Sequence, residues 1–385
     1  MTTCVVRWSR LPQNAAQYQV DVMVIAGDLF RERSRPEQIQ AGIGIMKRYF
    51  HPFLQRGGTI LAISGNHDSE TLFTTLRDAQ DLVTVVPDEG EGIQAAGRFY
   101  FVPHPGTVRL REGEGNMVQF VLMPYPTPRY LQGEKGNYQT LEERNEAIKE
   151  AFEASLRVQL DGLDPREAAV LVSHIAVRGS TAASSYRLDE ATEILLEPRV
   201  LPASLAYIAL GHLHRAQEVL LGVPQMRYAG SIERMDAGEQ GDQKSVVLLE
   251  VTQGRLCRRP ELLPLQSTPF YEVEITDPDA QLPTLGQKYP EAQNALVRYI
   301  LHWDSLKHQR EVLCQQIEGV FPRWYERTLK DKQTGVVTEA GLEVQVARDV
   351  VGTTRHYLHT QLEGHPLRQE VLALAEELLA EELVR

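Results

Sequence analysis

Three cysteines in 385 residues, Cys4, Cys257 and Cys314, are too few and too scattered for a disulfide framework or a structural zinc site. None stands in a C-x-x-C pair, so ordinary thiols in a reducing compartment are expected. Long hydrophobic runs are missing too. No stretch approaches the ~18 apolar residues of a membrane span, and the first thirty lack the apolar centre of a signal peptide. The expected setting is the cytoplasm, with no membrane partner. There is no glycine-rich phosphate loop and no G-x-S-x-G elbow, which sets aside P-loop chemistry and the α/β-hydrolase serine. Positive charge is in short supply: 40 Lys and Arg face 52 Asp and Glu, a formal −12. That balance argues against a surface that grips nucleic acid everywhere. It leaves room for a local basic path or a metal-lined cleft.

What is present suits a globular α/β protein. Hydrophobic residues make up 42%, enough for a sizeable core, and the length suggests two or three domains of roughly 100–200 residues each. Between residue 20 and about 250, β-rich runs alternate with polar or helical stretches. The strands are expected at 20–26, 59–64, 99–103, 118–124, 168–174, 205–211 and 245–251. Several are almost continuously apolar, as strands covered on both faces must be. A helix is expected over 140–156, with Thr140 and Glu143 as a capping box and Leu141, Ile148, Phe152 and Leu156 on one face. The Arg- and Pro-rich run at 252–269 reads as a linker. Strands at 270–276 and 295–303 then suggest a smaller module, and from about 340 the pattern is helical.

The chemistry lies at strand ends. VMVIA runs into Gly27-Asp28, LAIS into Gly65-Asn66-His67-Asp68, AVLVS into His174, and YIAL into Gly211-His212-Leu213-His214. Ligands of open α/β sheets gather at the carboxyl ends of strands, so the four segments are expected to converge. Each has a bland reading. A lone Gly-Asp is usually a turn, and a lone strand-end histidine is usually just hydrogen-bonded. Two ionisable groups and an amide in one turn after a buried strand are harder to dismiss. Carboxylate, carboxamide and imidazole without thiolate select an ion such as Mn²⁺ or Fe²⁺. If the chain stays extended, His212 and His214 fall on one side and serve one ion each, with Asp28 bridging. His356 and His359 are expected on an exposed helical face instead.

These four motifs, in this order, resemble the calcineurin-like metallophosphoesterase superfamily. Tyr228-Ala-Gly-Ser-Ile-Glu-Arg-Met-Asp-Ala-Gly-Glu at 228–239, then Lys244 and SVVLLEV, resembles SbcD-type nucleases of DNA double-strand-break repair, as does Gly27-Asp-Leu-Phe with Arg35-Pro36. The resemblance runs from about residue 20 to 252. It implies a four-layer α/β/β/α sandwich over 1–252, a small α/β capping domain at 265–335 and a helical partner-binding segment at 340–385. It further implies two Mn²⁺ ions, one held by Asp28, Asn66, His174 and His212, the other by Asp28 and His214 among others. His67 would assist at the phosphate, with Asp68 fixing its tautomer. Arg31, Arg33 and Arg35 would contact the DNA backbone, with a solvated loop as the alternative. The implied partners are double-stranded DNA ends, an SbcC-type SMC-like ATPase and a second copy of the chain.

The family's first motif, Asp-x-His, occurs nowhere in this chain, and residues 1–19 do not read as a replacement. A clipped gene start is the expectation, leaving one tight ion and one weak. A subunit with impaired catalysis and a phosphoesterase for small phosphodiesters or phosphoproteins are the rival readings.

Overall fold

The computed structural model describes residues 17–341, apart from 32–33, 84–96, 112–116, 132–137, 139, 181–192, 203, 220–225, 236, 253–254 and 336, together with 368, 371, 372 and 375. The chain divides into two compact units. One is Met1–Glu272 with Thr284–Val297 and Ile317–Arg323; the other is Val273–Pro283 with Arg298–Gln316 and Trp324–Arg385.

The first unit is built on two sheets. β1 (Val22–Ala26), β2 (Thr59–Ile63) and β3 (Phe99–Val102) form a parallel sheet in that order. The second sheet starts with β4 (Gly106–Arg111), β5 (Met117–Met123) and β6 (Ala168–His174). A short ladder of β7 (Ala176–Val177) and β8 (Leu195–Leu196) follows. β9 (Tyr207–Gly211), β10 (Gln217–Glu218) and β11 (Met226–Tyr228) complete the second sheet, whose order is β10-β11-β9-β6-β5-β4. Its centre is parallel, and β4 and β10 are antiparallel to their neighbours.

Alternation along the strands divides the core. On β2, Ile60 and Ala62 pack with Met46, Phe50 and Phe53 of α1 (Pro36–Gln55) and Phe73 of α2 (Glu70–Val83). Leu61 and Ile63, on the opposite face, pack with Leu122, Val170, Val172 and Tyr207 of the second sheet. On β6, Ala169 and Leu171 turn the other way, toward Ile148, Phe152 and Leu156 of α3 (Leu141–Asp161). Apolar cover on both faces is why these strands read as unbroken hydrophobic runs. Each large side chain so buried contributes about 1.5–3 kcal/mol. At the start of α3 the Thr140 side chain accepts the Glu143 N–H at 3.1 Å, one of the two bonds of the expected capping box.

Three expectations change. The run at 245–251 is two strands, β12 (Ser245–Leu248) and β13 (Val251–Thr252). The stretch after it is not a linker. β14 (Arg255–Leu256) pairs with β13, and β15 (Glu261–Pro264) pairs antiparallel with β12. Leu263 and Leu265 are buried there, an alternation that the surrounding Arg and Pro disguise. Beyond Pro269 the described residues form four strands rather than two: β16 (Phe270–Ile275), β17 (Leu296–Trp303), β18 (Trp324–Asp331) and β19 (Val337–Gly341), in one sheet in that order. α4 (Arg310–Val320) lies between β17 and β18 in sequence. The terminal helices expected after 340 lie outside the described residues, save that Arg368, Val371, Leu372 and Ala375 are helical. No described helix is long and apolar enough to cross a membrane.

Candidate metal centre

The four motif-bearing strands belong to one unit, and parallel pairing aligns their carboxyl ends: Ala26 pairs with Ile63, and His174 with Gly211. The backbone then turns sharply. Asp28 has φ +58 and His212 φ +92, left-handed values that cost a non-glycine residue about 1–3 kcal/mol and persist where surroundings hold them. At three glycines there is no space for a side chain. A Cβ would lie 2.0 Å from His174 Nδ1 at Gly27, 2.2 Å from Asp28 Oδ1 at Gly65, and 1.8 Å from the Ala26 carbonyl oxygen at Gly211. These turns need glycine because the next motif occupies the space.

His174 is the centre of this packing and is 1% exposed. Its Nδ1 lies 2.7 Å from the Ala26 carbonyl oxygen. Its Nε2 lies 2.8 Å from Asn66 Oδ1 and 3.4 Å from Asp28 Oδ2. Burial pushes the imidazole down to about 4, so the ring is neutral near pH 7. A neutral imidazole has one N–H, yet acceptors face both of its nitrogens. With the proton on Nδ1, the Nε2 lone pair meets the Asp28 carboxylate. A cation among Nε2, Asp28 and Asn66 would resolve that conflict. The spacing fits one: neighbouring donors about 2.1 Å from an octahedral ion stand about 3 Å apart.

His212 joins the same group, with Nδ1 3.2 Å from Asn66 Oδ1 and Nε2 3.2 Å from the Glu193 carboxylate. The ring of Tyr125 stands 6.0 Å from that of His174 and 5.8 Å from that of His212. Burial, with Glu193 and Asp28 nearby, pushes the Tyr125 hydroxyl up to about 12.

His67 is exposed, and its backbone N–H donates to Asp28 Oδ1 at 3.0 Å. Asp68 does not have the job expected of it. Its Oδ2 accepts from Gly65 N (2.8 Å) and Leu29 N (3.2 Å), and its Oδ1 from Phe30 N (2.6 Å). It ties the first turn to the second instead of steering the His67 ring. Burial pushes its carboxyl up, to about 6, against those three donors. Arg31 and Arg35 are exposed, and Arg33 lies outside the described residues. The Arg35 N–H begins α1, donating to Gln38 Oε1 at 2.9 Å.

His214 is set apart from His212, because His212 leaves the extended conformation and period two fails. Its Nδ1 lies 2.8 Å from Glu239 Oε1, and that bond is the main reason its imidazole is held above the usual range. Burial alone would raise Glu239, but His214 and Lys244 outweigh it and hold the carboxyl low. Glu239 and the Lys244 ammonium are both fully buried and 2.5 Å apart. Tyr228 has a parallel duty, donating to the Ile175 carbonyl at 3.0 Å and accepting the Val177 N–H at 2.9 Å, just past His174. Tyr228, Glu239 and Lys244 of the signature therefore brace the segments that carry the strand-end histidines.

The sequence pattern of calcineurin-like phosphoesterases matches residues 7–216. The chain belongs to that family. Membership implies divalent-metal binding, and the convergence on His174 suits it. Among the described residues no group of three or more His, Cys, Asp or Glu is arranged to hold an ion, so the set depends on the Asn66 amide. Among curated relatives, the SbcD component of the SbcCD nuclease from Escherichia coli K12 is 26% identical over 282 residues, 71% of this chain and 63% of that protein. Its Bacillus subtilis counterpart is 26% identical over 64% of this chain and 60% of its own. That of Rhodobacter capsulatus is 28% identical over 65% and 62%. The chain thus spans under two thirds of each relative.

Sequence reasoning missed Tyr125 and Glu193 near His174 and His212. It also gave no role to Glu239 or Lys244, although the signature contains one and precedes the other.

Proposed function

We propose that this chain is the nuclease component of a Mn²⁺-dependent DNA-cleaving complex, breaking phosphodiester bonds at double-stranded ends beside an SbcC-type ATPase. The observation that carries the metal reading is the His174 ring, fully buried and faced by acceptors on both nitrogens. In this reading Asp28, Asn66, His174 and His212 hold one ion, and Asp28 and His214 contribute to a second, weaker one. Oxygen and imidazole donors without thiolate favour Mn²⁺. Ions held there would supply activation of the attacking water and charge neutralisation at the phosphodiester. The chain's own residues do the rest. Asp28 is fixed by the His67 N–H, and Asp68 holds the turn that presents it. The exposed His67 ring is free to meet a phosphate or leaving oxygen and move a proton there. The nuclease names of the relatives support a nucleic-acid substrate, and exposed Arg31 and Arg35 offer charge for its backbone.

Two substitutions test this. His174→Ala is expected to weaken Mn²⁺ binding at the tighter site by at least about 100-fold, as measured by calorimetric titration. His67→Ala is expected to leave that binding unchanged and to slow cleavage of double-stranded DNA by about 100-fold or more. The opposite pattern, an emptied site in His67→Ala and a full one in His174→Ala, overturns the assignment. Hydrolysis of small phosphodiesters with double-stranded DNA left intact would move the function to the small-substrate reading.

A further inference from the structure

Half-exposed histidines are normally free to rotate, but His214 is held at both ends. Its side chain is 37% exposed, yet its Nδ1 meets Glu239 Oε1 at 2.8 Å. Its carbonyl oxygen accepts from Lys244 Nζ at 3.0 Å and from the Ser231 N–H at 3.0 Å. Lys244 donates also to Ser231 Oγ at 2.8 Å and Glu239 Oε2 at 2.5 Å, so all three ammonium hydrogens are used. Gly230 lets this loop close, since a Cβ there would lie 2.9 Å from the His214 carbonyl oxygen. A buried ion pair is a poor way to add stability, because apolar replacement is often neutral or better. A role in placing His214 explains it better.

We propose that Glu239 and Lys244 are positioning residues for His214: Glu239 fixes the ring tautomer, and Lys244 fixes the carboxylate and the His214 backbone together. A carboxylate only accepts, so the proton sits on Nδ1 and the Nε2 lone pair is left for an ion. The purpose rests on the metal reading above, with His214 as a ligand of the weaker ion. Metal-bound histidines commonly give their other N–H to a carboxylate. Here Lys244 keeps that carboxylate from rotating away.

The substitution Glu239→Gln separates this from a structural ion pair. The Lys244 ammonium would claim the new amide oxygen, turning the amide NH₂ toward His214. The ring would then accept at Nδ1 and carry its proton on Nε2. In metal-free protein, at a pH high enough for the His214 ring to be neutral, ¹⁵N imidazole correlation spectra are expected to show the Nδ1–H form in the unaltered chain and the Nε2–H form in Glu239→Gln. Mn²⁺ binding at the weaker site should fall about 10–100-fold, with the tighter site unchanged. Adding Lys244→Met to Glu239→Gln frees the amide to turn back and should restore the Nδ1–H form. An Nε2–H ring in the unaltered chain overturns the inference while the metal reading stands. So does an Nδ1–H ring that persists in Glu239→Gln. An Nδ1–H ring in a chain that takes up no Mn²⁺ overturns both.

Discussion

His174 and His214 lie at the ends of neighbouring strands' motifs, and they are held by opposite means. His174 is fully buried, fenced by Gly27, Gly65 and Gly211 and anchored to the Ala26 backbone. Its position follows from the packing of strand ends, so it moves only if the sheets move. His214 is partly exposed, and side chains hold it: Glu239 at the ring and Lys244 behind. Backbone anchoring gives rigidity at the cost of intolerance. Side-chain anchoring is adjustable, and single conservative substitutions can retune it.

The comparison breaks most visibly at the glycines. Gly211→Ala would place a Cβ 1.8 Å from the Ala26 carbonyl oxygen, a backbone atom that cannot swing aside. A loss of more than about 3 kcal/mol is expected, at or beyond the upper range for overpacked cores. Gly241, in the loop between Glu239 and Lys244, has nothing within 4 Å of such a Cβ. Gly241→Ala should lie within about 0.5 kcal/mol of the unaltered chain. Urea unfolding of both variants checks the contrast, and equal losses would dissolve it.

The same contrast decides what was legible in the sequence. Strands β2, β6 and β9, with Gly65 after β2, His174 ending β6 and Gly211 ending β9, could be read because burial leaves a local mark, an apolar run with a sharp stop. His174, Asn66 and Asp28 could be placed together for the same reason. The support of His214 could not, since Glu239 lies 25 residues away and meets it through side chains alone. Asp68 was misjudged because a carboxylate beside a histidine suggests a ring partner, while two of its three amide donors come from a turn 38 and 39 residues earlier. α1 was not read as a helix: it contains Gly42, Gly44 and Pro52, poor helix formers that tertiary packing overrides. β15 was hidden by the Arg and Pro around it.

A smaller effect than the glycine clash should appear in the pH dependence of metal-free protein. The folded imidazole of His174 is depressed from 6.5 to about 4 by burial. Between these values the unfolded chain binds a proton that the folded chain refuses. Stability therefore rises with pH across the window, and what His174 contributes is lost as pH falls from about 6.5 toward 4. The full swing is at most about 3 kcal/mol. His174→Asn removes the titration, so its unfolding free energy should fall less steeply over that range. Parallel profiles for the two proteins would mean that the ring is already charged when folded.

The smallest expected effect has the opposite sign, and it belongs to His214. The Glu239 carboxylate raises this imidazole above 6.5, so the folded state binds the proton more tightly than the unfolded chain does. Its contribution is present in full below about pH 6.5 and is lost as pH rises through the raised value. Glu239 titrates below its usual range and stays ionised throughout, so the change belongs to the histidine. Solvent screens a side chain that is 37% exposed, which limits the effect to about 1 kcal/mol or less. The measurement is the difference in urea midpoint between the unaltered chain and His214→Asn, in chelator, at about pH 6 and about pH 8.5. The advantage of the histidine should be larger at the lower pH, where the His174 contribution is already declining. A larger advantage at the higher pH would mean that Glu239 does not hold the proton on this ring, and the two histidines would then respond alike.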